Sequence, residues 1–175
     1  MQIVVCLDTQ TLHLTDAAQG IERCYAISTA RNGAGEQNGS FCTPRGLHCI
    51  RARIGDGCAP GTVFVRRRPT GQIYSADLAA EHPGRDWILT RILWLSGCEP
   101  GKNRLGAVDT FRRYIYIHGT PDINPLGEPR SHGCIRMHDD DLVELFETAP
   151  VGTPVDIREC CTAGPQLATK PAGDA

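Results

Sequence analysis

Between His118 and Cys134 the chain collects the parts of a thiol-dependent acyl-transfer site. The run Ser131-His132-Gly133-Cys134 holds a thiol, an imidazole two residues before it and a glycine beside it, and His118 ends an apolar run with a second imidazole. A thiol attacks a carbonyl efficiently at neutral pH when a base takes its proton and backbone N–H groups hold the oxyanion that forms. Either imidazole meets the first need, because an adjacent imidazolium pulls a cysteine down from its free pKa of about 8.5. His132 lies at i to i+2 from Cys134, which in an extended chain puts both on one side. His118 belongs to a different strand and would approach across the sheet. The amides of Gly133 and Cys134 are the expected oxyanion donors. Singly, a buried cysteine is more often a packing residue, and a histidine at a strand end is more often a hydrogen-bonded surface group. Two histidines, Ser131, Cys134 and the glycines Gly119 and Gly133 within 17 residues shift the balance toward catalysis.

Such a cluster needs a frame of strands, and the flanking sequence supplies them. Ile3–Leu7 is short, apolar and β-branched, and Thr11–Thr15 alternates, so the two read as a hairpin. Further strands are expected at 23–29, 47–54, 62–67, 87–95 and 113–118, the last leading straight into His118. In the 87–95 strand Ile88, Ile92 and Trp94 fall on one face, with Leu89, Arg91, Leu93 and Leu95 on the other. Residues 31–40 and 97–106 are rich in glycine and read as loops, and Thr43-Pro44-Arg45-Gly46 has a turn signature. Helical character is confined to 74–86, stopped by Pro83-Gly84, and to the segment after Met137. There Asp139, Asp140 and Asp141 suit a helix N-terminus, Leu142, Leu145, Phe146 and Ala149 form one apolar face, and Pro150 and Gly152 end it. A strand over 153–158 closes the domain.

The chain has 175 residues, 41% hydrophobic and 22% charged, with 19 glycines and 12 prolines. That is enough for one domain with a core, rich in turns and favouring β structure. A formal charge of -2 gives no reason to expect nucleic acid or an anionic membrane as partner, and no apolar run is long enough to span a bilayer. Nine cysteines, odd in number and irregular in spacing, contain no C-x-x-C pair. Most of them read as small apolar residues in a reducing compartment.

The residues Ile117-His118-Gly119-Thr120, Leu126-Gly127 and Ser131-His132-Gly133-Cys134-Ile135-Arg136-Met137 closely resemble the signature of the L,D-transpeptidase catalytic domain, the YkuD-type family. The likeness extends to Asp8–Leu12, Ile27–Thr29, Thr43–Gly46 and Gly152–Val155, so it covers residues 2 to 158. It implies a mainly β, β-sandwich-like catalytic domain over 1–158 with a short helix packed beside the sheet; the small residues that follow read as a flexible tail over 159–175. It further implies that Cys134 attacks the bond between the third residue of a peptidoglycan stem peptide and a D-alanine. His118 is then the base, oriented by the carbonyl of Gly119. Ser131, His132 and Gly133 shape the oxyanion site, and Arg136 orders the loop or meets a substrate carboxylate. Neither metal nor cofactor is called for, and the partners are stem peptides, with no nucleic acid, no membrane and no signal for an oligomeric state.

Two features depart from the resemblance. The stretch 66–112 carries Trp87, Trp94 and the arginines Arg66, Arg67, Arg68, Arg85, Arg91, Arg104 and Arg112, which suit a solvated face or a pocket wall for anionic groups. Tyr74–Asp86 is the expected lid. Met1 also runs directly into an apolar strand with no export signal, so a cytoplasmic setting is expected. There the acyl-enzyme would meet water, giving an L,D-carboxypeptidase that trims recycled muropeptide tetrapeptides. The alternatives are a periplasmic L,D-transpeptidase that crosslinks or exchanges D-amino acids, and a non-catalytic binding protein that kept the pocket.

Overall fold

The computed structural model describes residues 1–160, and the expected tail beyond Cys160 lies outside them. The strands are β1 (Gln2–Cys6), β2 (Thr11–Asp16), β3 (Ile21–Ala26), β4 (Gly46–Ile54), β5 (Thr62–Val65), β6 (Arg68–Ile73), β7 (Ile88–Gly97), β8 (Tyr116–Gly119), β9 (Ile135–Met137) and β10 (Pro154–Arg158). Two α-helices, α1 (Ala76–Glu81) and α2 (Asp139–Thr148), and a short 3-10 turn at Gly106–Val108 complete the regular structure among the described residues. The mainly β architecture is the expected one, in the form of a single curled sheet with α2 beside it.

The strands run in the order β3-β2-β1-β10-β4-β7-β5-β6, with β8 and β9 branching from β7. β7 is the hub. It pairs with β4 over Ile92–Gly97 and with β5 at Ile88 and Leu89, while β8 takes its opposite edge from Leu89 to Trp94. The pairing with β8 is interrupted between Leu89 and Ile92, where Thr90 has a φ of 69°. Such a bulge lets one strand serve partners that curl away from each other. β1 and β10 run parallel, as do β8 and β9; the other pairs are antiparallel.

The main core lies in the curl. Ile3, Val5, Leu12 and Leu14 from the first hairpin meet Leu93, Leu95, Ile117 and Ile135, and α2 covers them with Leu142, Leu145 and Phe146. Those three helix residues are fully buried, as their spacing of three and four predicts. Among the described residues no helix is long and apolar enough to cross a membrane.

The strand expected over 62–67 stops at Val65. Arg66 and Arg67 have φ of 47° and 67° and form a two-residue hairpin tip, from which the chain returns as β6. β6 is a missed element: every residue in it is exposed and it contains Pro69 and Gly71, so neither alternation nor propensity marks it. The helix expected over 74–86 shortens to α1, whose N-cap Ser75 accepts a hydrogen bond from the Leu78 amide at 3.1 Å.

Candidate active site

The two parallel strands β8 and β9 bring the distant cluster together. Their register sets Ile117 against Ile135, His118 against Arg136 and Gly119 against Met137. Side chains alternate along a strand with a period of two. Tyr116 and His118 therefore share a face with Arg136 and with Cys134, which stands just before β9. This pair is buried from both sides: His118 is 2% exposed and Arg136 7%, whereas Cys134 retains partial access to solvent.

His118 has its tautomer set by the backbone. Its Nδ1 lies 2.7 Å from the Gly119 carbonyl oxygen. A carbonyl can only accept, so Nδ1 carries the hydrogen, and in the neutral ring Nε2 keeps its lone pair. Burial pulls the His118 pKa down to about 4, against the opposing pull of the Gly119 bond and Asp86. Burial likewise pushes the Cys134 thiol up to about 12, although the Tyr116 amide, Arg136 and Arg113 favour the thiolate. Cys134 Sγ also lies 3.5 Å from the Tyr114 carbonyl oxygen. The resting pair at neutral pH is thus a thiol and a neutral imidazole, suited to proton transfer during attack rather than to a standing thiolate.

The segment before the thiol is braced from within. Ser131 Oγ donates to the Cys134 carbonyl at 2.5 Å and accepts from the Gly133 amide at 3.2 Å. Thr43 Oγ1 donates to the Gly133 carbonyl at 3.0 Å and accepts from the Ala30 amide at 3.0 Å. Gly133 has a φ of 134°, and a Cβ there would meet Ile115 Cδ1 at 3.0 Å, so the position requires glycine. Gly119 is equally constrained, since a Cβ would overlap Asp139 Oδ1 and stand 2.9 Å from the Leu89 carbonyl oxygen.

Not every expected residue turns toward the thiol. His132 does not share the Cys134 face, because the turn at Gly133 breaks the two-residue alternation. Its ring is 64% exposed, approaches Asp86 Oδ2 at 3.1 Å and meets Phe41 edge-on. The Gly133 amide is engaged by Ser131 Oγ. Arg136 is held by Asp86, donating from Nη2 to Oδ1 at 2.6 Å.

Sequence reasoning missed four contributors. Asp86 was read only as the end of a lid, 50 positions from Arg136. Burial alone would raise its pKa, but Arg136, His132 and His118 outweigh it and hold the carboxyl below its usual range. In the sequence Thr43 carries a turn signature and part of the family likeness, with nothing that links it to Gly133. Arg113 donates to the carbonyls of Gly35, Glu36 and Cys42 and so fastens the 33–42 loop beside the thiol. Tyr116 faces Cys134, and its hydroxyl accepts from Arg67 Nη1 at 3.0 Å. Arg67, at the hairpin tip, lies over Trp94 and Tyr114 at 4.6 and 4.8 Å, which makes that hairpin part of the wall. The alternation of Y-I-Y-I-H did carry a signal for Tyr116; nothing in the sequence linked Asp86 to Arg136. Among the described residues no group of three or more His, Cys, Asp or Glu is placed to hold a metal ion.

The fold recurs in solved structures. L,D-transpeptidase 3 from Mycobacterium tuberculosis, in complex with a faropenem-derived adduct, superposes with a TM-score of 0.54 at 15% identity, covering 90% of this chain and 59% of that one. An L,D-transpeptidase from Mycobacterium smegmatis gives 0.51 at 20% identity, covering 90% of this chain and 58% of that one. At these identities the likeness is one of fold. In sequence, YqjB of Bacillus subtilis, whose name assigns it provisionally to the L,D-transpeptidases, is 49% identical over 53 residues, 30% of each chain. The matches span less than two thirds of each of these relatives. The YkuD family model, described as the L,D-transpeptidase catalytic domain, matches residues 1–157, and with the fold and the S-H-G-C segment in place the chain belongs to that family.

Proposed function

We propose that this domain cleaves peptidoglycan stem peptides between the third residue and a D-alanine by acyl transfer to Cys134. What supports the reading is that Cys134, one residue before β9, falls by alternation on the face of the paired strands that carries His118, whose Nδ1 is committed to Gly119. His118 Nε2 takes the thiol proton as Sγ adds to the carbonyl. The Cys134 amide holds the oxyanion, the Gly133 amide being occupied by Ser131. Collapse of the tetrahedral adduct breaks the C–N bond, His118 returns its proton to the leaving amine, and D-alanine departs from a thioester on Cys134.

Water resolves the thioester in the reading adopted here, which makes the domain an L,D-carboxypeptidase. Cys134 is partly open to solvent, and an open thioester meets water without any further device, whereas transfer to an amine needs a second substrate held in place and water kept out. A cytoplasmic role on soluble muropeptides accompanies this reading. Transfer to an amine, giving transpeptidation or D-amino-acid exchange, is the second reading, and the names of the relatives favour it.

The test is incubation of the protein with free tetrapeptide, with and without a D-amino acid, followed by mass analysis. Tripeptide and free D-alanine as main products support hydrolysis. Exchanged or dimeric products alone transfer the role to the second reading. Turnover that survives Cys134→Ala removes the thiol from the mechanism.

A further inference from the structure

Beyond His132 the cleft opens into a basin of about 370 Å³ with an uneven balance of charge. Arg31, Arg85, Arg130 and Arg136 line it, and Asp86 is the one carboxylate among its lining residues. That carboxylate is already shared by Arg136 and His132. Arg130 is paired with Glu128 at 2.7 Å in contact with solvent. Arg31 and Arg85 have no carboxylate partner among the described residues.

Arg85 is held at its guanidinium by other means, and Arg31 at its backbone. The Arg85 guanidinium lies 4.2 Å from the ring centroid of Trp87, which is buried and meets Tyr74 edge-on at 5.3 Å. Stacking on an indole fixes the plane of a guanidinium and leaves its N–H edges open to a ligand. Arg31 is tied through its backbone, its amide donating to the Ser131 carbonyl at 3.0 Å, three residues before Cys134. Arg31 and His132 also line a second cavity of about 180 Å³ with Phe41 and Ser131, so Arg31 stands at the boundary of two spaces flanking the S-H-G-C segment.

We infer that this basin is a carboxylate-recognition subsite for the peptide substrate, in which Arg31 and Arg85 select a free acid over its amide. The inference rests on the peptide-cleaving function proposed above and names the chemistry that the site reads. A guanidinium fork matches a carboxylate with two parallel N–H···O bonds, and an amide can accept only one of them and carries no charge. A stem peptide offers a carboxylate at its terminal D-alanine and others on side chains upstream of the scissile bond. Either source presents the same chemistry, and amidation tells them apart.

Three tetrapeptides serve as probes: the free acid, its C-terminal amide, and the form amidated on the side chain of the third residue. On the free acid, Arg31→Gln is expected to lower kcat/KM by roughly 10- to 100-fold, mainly through KM, the loss that follows from removing one charge-assisted bond. Arg31→Lys should recover part of it. For one of the two amides the native protein should show a similar loss, and Arg31→Gln should add little to it; that amide identifies the carboxylate that is bound. Equal losses on all three peptides, or none, overturn the inference. Should the native protein turn over none of them, the proposed reaction is at fault, and the same comparison is made by calorimetric binding to Cys134→Ala. A preference for acid over amide that disappears with Arg31→Gln then supports the subsite, and equal binding rejects it.

Discussion

Two buried histidines, His48 and His118, differ in one hydrogen bond, and that bond separates a structural residue from a candidate base. Each is 2% exposed. Each donates from Nδ1 to a nearby backbone carbonyl, His48 to Gly46 at 2.8 Å and His118 to Gly119 at 2.7 Å. Burial takes both down to about 4. The difference lies at the other nitrogen. His48 Nε2 faces Thr110 Oγ1 at 3.1 Å, whereas His118 Nε2 has no hydrogen-bond partner among the described residues and belongs to the face that carries Cys134. A depressed pKa with a fixed tautomer therefore does not by itself mark a candidate base; a lone pair left open on the strand face that carries a thiol does.

Substitution of the two rings should separate them most widely. His118→Asn is expected to lower kcat by about 10²- to 10⁴-fold with little change in KM, the usual contribution of a general base. His48→Asn should leave kcat within a few-fold of the native value. A loss confined to KM for the first, or an equal loss of kcat for both, would erase the distinction.

Acid stability should instead unite them. The unfolded chain takes up a proton at each histidine near the ordinary value of 6.5, while the folded protein resists until about 4. Protons therefore favour the unfolded state between those values, so stability is level above pH 6.5 and falls as pH drops toward 4. A depression of that size is worth roughly 3 kcal/mol per histidine. Denaturant titrations from pH 7 to 4 should show the decline, and His48→Gln should remove about half of it. Glu36 and Asp86, whose pKa values are held below the usual carboxylate range, contribute chiefly at more acid pH. An unchanged slope in His48→Gln would mean that His48 charges freely in the folded state.

The smallest effect concerns the bond that distinguishes the two sites. Thr110→Val removes the hydroxyl that faces His48 Nε2 and with it the bond that hydroxyl donates to the Asn103 carbonyl at 2.9 Å, so it should cost about 1–2 kcal/mol in a urea titration, with kcat unchanged. A fall in kcat would show that the His48 site, which meets β7 at Gly97, is coupled to the His118 site, which meets it at Ile92.

Local signals in the sequence were sufficient wherever a residue's role depends on its immediate neighbours. The first hairpin, the α2 face of Leu142, Leu145 and Phe146, and the S-H-G-C segment are all patterns a few residues long, and each appears near its expected place. What could not be read depends on distant contacts or on solvent. β6 is exposed throughout, so no buried face imposes a period on it. Asp86 gains its meaning only when the end of the α1 loop reaches Arg136 and His132. His132 was misplaced by a backbone event, the φ of 134° at Gly133, which redirects a side chain that simple alternation would aim at the thiol.

The position of β10 between β1 and β4 has a consequence for how the protein is made. The strands β1, β2 and β3 precede the other strands in the chain, yet the strand seated between β1 and β4 is encoded by residues 154–158. Apart from the bridges that Ser28 and Ala30 make with Arg136 and Ser131, the early meander and the layer bearing Cys134 are joined in the sheet through this strand. Contacts between positions this far apart in the chain form slowly, so the seam at β10 is expected to close late in the folding of this domain. A chain in which β10 is not yet seated would present the edges of β1 and β4 to other molecules, and seating that strand removes the hazard.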